Sequence, residues 1–394
     1  MNSSRFFIEV DCFQQRGRGQ SVSGDVYLQK RYNNRIIQVL SDGAGSGIKA
    51  NVIASVIASM AVNYTYAGEP VLRAAKAIIE TFARGDRKDD VNQATFTIID
   101  INDDGQVKII EFENPPVVIL RNGKIFSPPR IQEMFDVESG YHLPLYITEF
   151  QAEVEDRIIT FSDGVTLSGY ATRRMPQGWQ RKGVVNMLCK TVADEHRISA
   201  SHLCKRVVEM AEMNDLFVVK NDMSCASVYF RQPRKILVVT GPPFNQEKDR
   251  LLAEIITQYE GSTVICGGTT AQIVARESGK EISVVLKKDA SGLPPESKMD
   301  GVSMITEGVL TLGRVKVILS SIRNSSVKGN GIDMRLVRML LEHDIVEFIV
   351  GTRINPIHQD PNLPVELELR RNVVKDIAWL LESKYMKEVN ISYL

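Results

Sequence analysis

The sequence predicts an α+β protein in which two packed β-sheets flanked by helices are followed by a smaller α/β unit. Strand-like runs dominate the first ~230 residues, and helical periodicity is confined there to two separated pairs of segments. Past Arg231-Gln-Pro-Arg234 the pattern changes to alternating strand and helix. A chain of 394 residues is also long for one core and ordinary for two domains. The boundary is placed between 1–232 and 233–394.

In order, Phe6–Val10 reads as a strand, and Val26–Leu28 and Arg35–Leu40 as two more around a Tyr32-Asn-Asn34 turn. Ile53, Ile57, Met60 and Tyr64 fall on one helical face and predict a helix over 48–64. Leu72, Ala75, Ile79 and Phe82 predict a second over 69–84, and the charged stretch 85–92 a loop. Ala94–Ile101 and Val107–Phe112 form a hairpin through Asp103-Asp104-Gly105, as do Val117–Leu120 and Ile125–Phe126 through Arg121-Asn-Gly-Lys124. Strands over Ile147–Val154 and Arg157–Phe161, helices over 183–196 and 199–213, and a strand over Cys225–Phe230 complete the first unit. In the second, strand Lys235–Thr240, helix Gln246–Tyr259, strand Ser262–Ile265 and helix Thr270–Glu277 alternate, and Val315–Leu319, Arg335–Glu342 and Ile345–Val350 continue the theme.

Composition narrows the function classes. Lys+Arg and Asp+Glu are both 48, so the basic excess of a nucleic-acid binder is missing. No apolar run approaches the length of a membrane span, and the N-terminus has no secretory signature. The five cysteines show no paired spacing, which argues against zinc and a disulfide framework and makes a reducing cytoplasm the expected location. The five histidines show no ligand spacing either.

The informative residues are acidic loops: Ser23-Gly-Asp25, Ser41-Asp-Gly43, Phe161-Ser-Asp-Gly164 and Lys220-Asn-Asp-Met-Ser224. Aspartates at strand ends, with glycine letting the backbone come close, suit hard divalent cations that take oxygen ligands, Mn or Mg. Two such ions can clamp a phosphoester and acidify water between them, so no nucleophilic side chain is needed. Asp25, Asp42, Asp163 and Asp222 would supply the carboxylates, and Gly43 a carbonyl. A lone Asp-Gly is usually a hairpin turn, and that reading is taken for Asp103-Asp104-Gly105. Ser41-Asp-Gly-Ala-Gly-Ser-Gly47 lacks the Gly-Lys-Ser/Thr ending of a phosphate-binding loop. Cys225 to Arg231 has the spacing of cysteine-dependent phosphatases, but the residues between read as strand.

In order and spacing, these motifs resemble the SpoIIE-like bacterial branch of the metal-dependent Ser/Thr protein phosphatases (type 2C, or PPM) over roughly residues 1–230. The carriers are the loop at 23–25, Leu40–Ala50, Glu113–Gly123, Asp156–Val165 and Asn221–Phe230. The resemblance implies a PPM-type β-sandwich with helices outside and hydrolysis of phosphoserine or phosphothreonine on a partner protein. It implies catalysis that depends on Asp42 and Asp163, with Asp42 bridging two metals, Gly43 lending its carbonyl, and Asp25 and Asp163 ligating one metal each. On the family register the last metal aspartate falls on Asn221, and Asp222 takes the next position. Either Asn221 or Asp222 is therefore the expected ligand, and a degenerate, non-hydrolysing phosphoprotein- or ligand-binding module is the alternative function. Relatives also imply that helices 48–64 and 69–84 form a regulatory switch, which core packing explains equally, and that the chain forms a homodimer. Some family members hold substrate phosphate with an N-terminal arginine. Arg16 and Arg18 are the candidates here, and their following glycines fit a surface loop as well.

In the second unit, Cys266-Gly-Gly-Thr-Thr270 joins a strand to a helix. Gly267, Gly268, Thr269 and Thr270 could bind an anion or small molecule at the helix start, or form only a tight turn with a threonine cap. Gly351–Asn355 follows another strand and could line the same crevice. The unit is expected to regulate activity or recruit substrate.

Overall fold

The computed structural model describes residues 6–32, 35–82, 94–102, 104–136, 142–284, 292–322, 329–353, 363–385 and 387–394. The predicted loop 85–92, with Asn33, Asn34, Asp103, Ile354 and Asn355, lies outside them. The chain divides into two compact units, Met1–Gln232 and Pro233–Leu394.

The first unit is a sandwich of two antiparallel sheets. One contains β2 (Asp25–Tyr32), β3 (Arg35–Gly43), β4 (Ala94–Asn102), β5 (Gln106–Phe112), β9 (His142–Gln151) and β8 (Arg130–Asp136), in that spatial order. The other contains β1 (Phe7–Gln15), β11 (Met223–Arg231), β10 (Arg157–Phe161), β6 (Val118–Arg121) and β7 (Lys124–Ile125). Strand pleat sorts the side chains. On β3, β4 and β5, Ile36, Ile99, Ile101, Val107 and Ile109 face the other sheet, where they meet Ile158, Val228 and Phe230. Their neighbours Ile37, Val39, Phe96, Ile98 and Ile110 face outward and are covered by α1 (Gly47–Tyr66) and α2 (Val71–Phe82). On the opposite side, Ile159, Phe161 and Cys225 are covered by α4 (Gln180–Asp194) and α5 (Ala200–Asn214), with short α3 (Asp163–Leu167) beside them. The unit is therefore four layers deep, helix-sheet-sheet-helix.

Strand β8 and helix α3 have no counterpart in the sequence reading. The inner faces of α1 and α2 are core. Cys225 lies mid-strand and fully buried, opposite Phe13 and Phe161, so no phosphate cradle surrounds it.

In the second unit a sheet runs β14 (Ser283–Val284), β15 (Ser297–Met299), β16 (Val302–Thr306), β13 (Ser262–Cys266), β12 (Lys235–Thr240), β17 (Ile345–Val350), β18 (Glu388–Tyr393). The five strands from β16 to β18 are parallel, and β14 and β15 are an antiparallel edge. Helices cover both faces. Ile236 and Val238 pack under α8 (Val309–Ser321), α9 (Ile332–Glu342) and α10 (Leu363–Tyr385). Leu237 and Val239 pack under α6 (Asp249–Gln258) and α7 (Gly268–Ser278). Val315–Leu319 is thus part of helix α8. Helix α7 opens two residues before Thr270, and its cap is Gly267 at φ 137°, with no side-chain cap bond. The threonine cap is corrected accordingly: only glycine reaches that backbone angle easily, and Thr270 is a buried helical residue.

Ile99 is fully buried between the sheets. We expect Ile99→Ala to cost about 2–5 kcal/mol, read by urea unfolding through half-buried Trp179 of the first unit, since Trp379 of the second is 66% exposed.

Candidate active site

The four acidic loops converge where strand ends of both sheets meet. Asp25 opens β2, and Asp42 lies directly opposite it near the end of β3, so the antiparallel register alone sets two carboxylates side by side. Asp163 opens α3 just past β10, and Asn221 and Asp222 immediately precede β11, the partner of β10. Two bonds tie the sheets together at Asp25: Ser224 Oγ donates to its Oδ2 at 2.6 Å, and Gln14 Nε2 donates to its carbonyl at 3.3 Å.

Asp42 is the centre. Its carboxyl meets Asp25 on one side and Asp163 on the other. Burial, reinforced by those two charges, raises it to about 9. Burial also raises Asp25 to about 6, against the stabilising Ser224 and Ser162 hydroxyls. Asp163 rises for the same reason, opposed by Asp42, the Gly164 amide and Asn221. Among the described residues no lysine or arginine forms an ion pair with any of the three. Crowded, desolvated carboxylates without a countercharge are costly in their ionised form.

Two glycines bring the backbone in. A Cβ on Gly43 would lie 2.1 Å from the Ala50 carbonyl oxygen of α1, and one on Gly164 would lie 2.0 Å from the Asp222 carbonyl oxygen. Asp222 itself is 2% exposed and clamps two loops: Oδ1 accepts the Gly17 amide at 2.8 Å and Oδ2 the Gly24 amide at 2.6 Å. Asn221 is oriented by its own chain. Its Oδ1 accepts the Asp222 amide at 2.9 Å, which turns Nδ2 toward Asp163 Oδ1, also at 2.9 Å.

Residues 32–230, just over half of the chain, match the family Stage II sporulation protein E (SpoIIE). The chain belongs to the SpoIIE family. The match includes Asp42, Asp163, Asn221 and Asp222, while Asp25 precedes it. Among solved structures, the phosphatase domain of the cell fate determinant SpoIIE from Bacillus subtilis is 14% identical, with 58% of this chain and 94% of that chain covered at a TM-score of 0.42. RsbX in complex with magnesium is 19% identical, with 57% and 95% covered at a TM-score of 0.41. No curated protein matches the chain.

The donor set of this SpoIIE-family chain suits a hard divalent cation: all oxygen, three acids, and no cationic side chain paired with them among the described residues. Among the described residues no three His, Cys, Asp or Glu side chains already converge at metal-holding geometry, and the carboxylates meet pairwise. Asp25, Asp42, Gly43 and Asp163 are brought together. Asn221 and Asp222 lie beside them, but their polar atoms are occupied by Asp163 and by backbone amides. Arg16 donates to the Ser21 carbonyl of its own loop. Sequence reasoning gave Ser224 and Ser162 no role. Their signal was the small hydroxyl at each strand end next to an acidic loop.

Replacing Asp222 with alanine strands two buried amides, and we expect it to lower stability by about 2–4 kcal/mol. Thermal unfolding in the presence of chelator checks this, because the loss belongs to the clamp and not to a ligated ion.

Proposed function

We propose that this SpoIIE-family chain is a metal-dependent protein serine/threonine phosphatase, with Asp25, Asp42, Asp163 and the Gly43 carbonyl holding two divalent cations, Mn or Mg. The observation that carries the reading is the convergence of Asp25, Asp42 and Asp163 at strand ends of both sheets, where desolvation raises all three carboxyls and the charges of Asp25 and Asp163 raise Asp42 further. The chemistry such cations supply when bound is neutralisation of the phosphoryl oxygens and acidification of attacking water. The chain's own residues hold and aim. Ser224 fixes the Asp25 carboxylate, Asn221 fixes Asp163, and Asp222 closes the Gly17 and Gly24 loops around them. Contact between Gly43 and Ala50 makes the site sensitive to the position of α1, which supports a regulatory part for that helix. The second unit would regulate the enzyme or recruit its substrate. Among the described residues no helix is long and apolar enough to cross a membrane.

The test is phosphate release from p-nitrophenyl phosphate and from a phosphothreonine peptide, with Mn, with Mg and with chelator. We expect cation-dependent turnover that falls to background in Asp42→Ala and Asp163→Ala. Full activity in either variant would overturn the assignment.

One observation favours the second reading, a binding module without turnover. The Asn221 amide oxygen is committed to the Asp222 amide, so position 221 offers a cation neither charge nor a free oxygen. Calorimetric titration with Mn separates the two: two sites per chain support the enzyme, and a single weak site supports the module. Under the enzyme reading Asn221→Asp tightens Mn binding, because it adds a carboxylate beside Asp163.

A further inference from the structure

Three loops beside the carboxylate row are stitched to one another. The Gly169 amide donates to Asp215 Oδ1 at 2.6 Å, Asn214 Nδ2 to Ser168 Oγ at 3.1 Å, and Lys220 Nζ to the Tyr170 carbonyl at 3.4 Å, which joins segment 168–170 to segment 214–220. On the other side the Arg18 amide donates to the Val219 carbonyl at 2.9 Å, and the Gly17 amide to Asp222.

Two features of these loops bear on what they could bind. Leu216 and Phe217 occupy consecutive left-handed conformations at φ 54° and 62°, and their side chains are 75% and 74% exposed. Bulky residues avoid that backbone region, and apolar side chains gain nothing in water. The backbone here is the turn that ends α5: the Leu216 amide donates to the Met213 carbonyl at 3.1 Å and the Phe217 amide to the Glu212 carbonyl at 2.8 Å, which caps the helix and leaves both side chains in water. The second feature is charge. Arg18, Arg173 and Arg174 are exposed and have no side-chain partner among the described residues, whereas Arg35, Arg121, Arg130, Arg206 and Arg231 of the same unit are each paired with a carboxylate. Arg197, in the turn before α5, is exposed and unpartnered as well, so three of the four such arginines of this unit lie on or next to the stitched loops.

We infer that these loops form the substrate-docking surface: an acidic protein segment bearing the phosphoserine or phosphothreonine lies along Arg18, Arg173 and Arg174 and anchors an aliphatic or aromatic residue on Leu216 and Phe217. The inference rests on the phosphatase reading of the adjoining carboxylates. Charge complementarity selects the occupant, since a phosphorylated acidic segment carries what three free guanidinium groups lack. The apolar pair supplies the anchor that a purely ionic rim does not. An anionic lipid surface would also suit arginine beside exposed apolar side chains, but phosphatidylserine presents a phosphodiester and not the monoester of phosphoserine or phosphothreonine.

The experiment uses the full chain and a fluorescein-labelled phosphothreonine peptide flanked by aspartates, with one leucine, and the same peptide with lysines for aspartates. The variants are R173E/R174E and L216N/F217N, asparagine being chosen because it tolerates the left-handed backbone. We expect each to lower kcat/KM for the acidic peptide roughly tenfold and to leave kcat/KM for p-nitrophenyl phosphate unchanged. The charge reversal should also abolish the preference over the lysine peptide and its salt dependence. Unchanged peptide kinetics, equal loss on both substrates, or wild-type binding to phosphatidylserine vesicles that the same variants lose would overturn the inference. If the wild type turns over neither substrate, the phosphatase reading has failed, and anisotropy decides the docking surface alone. Peptide affinity that drops roughly tenfold in both variants sustains it, and affinity that is equal in all three proteins ends it.

Discussion

Everything at this site follows from one unfavourable arrangement: a row of three desolvated carboxyl groups, with Asp42 meeting Asp25 and Asp163 in turn, and among the described residues no cationic side chain to balance them. Such a row persists only if the fold imposes it. Part of the imposition is register, because Asp25 and Asp42 face each other across β2 and β3 and cannot separate without breaking the pair. The rest comes from the other sheet, through Ser224 on Asp25 and through Asp163 and Asn221 around the β10–β11 ends. The interior between the sheets thus does more than stabilise. It fixes the distance between two halves of a centre that would otherwise repel each other apart.

The neighbours Asn221 and Asp222 divide the labour in a way their chemistry requires. A carboxylate can accept two backbone amides at once, and Asp222 does so with Gly17 and Gly24. An amide can accept on one side and donate on the other, and Asn221 uses this to pass order from the Asp222 backbone to the Asp163 carboxylate. An aspartate at 221 could accept the same amide but could not donate to Asp163, so the residue at this position trades cation affinity against orientation. That trade is local, and it concerns the loop before β11 rather than the sandwich.

How much of this was legible in the sequence depended on period and on partner. The continuous apolar runs of β3 to β5 showed themselves because both faces of those strands are buried, whereas the predicted helical face was only partly right: Ile57 is core, but Tyr64 is 40% exposed and the buried stripe runs through Ala54, Ala58 and Ala61. Strand β8 was hidden: Ile131 and Met134 are exposed, so an edge strand paired only with β9 leaves no strong pattern. Helix α3 is too short to show a period. The acidic loops were legible because glycine next to aspartate marks a close backbone approach, and Gly43 and Gly164 do have carbonyls where a Cβ would be. Their partners were not legible. Which oxygens Asp222 would lose to Gly17 and Gly24 depends on contacts some two hundred positions apart. In the second unit, β18 was missed because it is six residues long and none of them is fully buried, so only Val389 and Ile391 carry its pattern. The order β16-β13-β12-β17-β18 likewise appears only in three dimensions.

The separation of charge in the first unit has a physical reason. An arginine placed among Asp25, Asp42 and Asp163 would pair bidentately with Asp42, fill the space between the sheets and draw the carboxyl back toward its ordinary acidity. The row would then be an internal salt bridge with no demand left for a cation. Arginines kept on the surrounding loops do not quench the row at contact distance, yet their field still reaches an approaching anion over about 10 Å at moderate salt. On the proposed phosphatase reading, a centre that takes up cations and also admits a negatively charged ester needs both signs nearby but not touching. Acids at the strand ends and arginines on loops stitched beside them would satisfy that requirement.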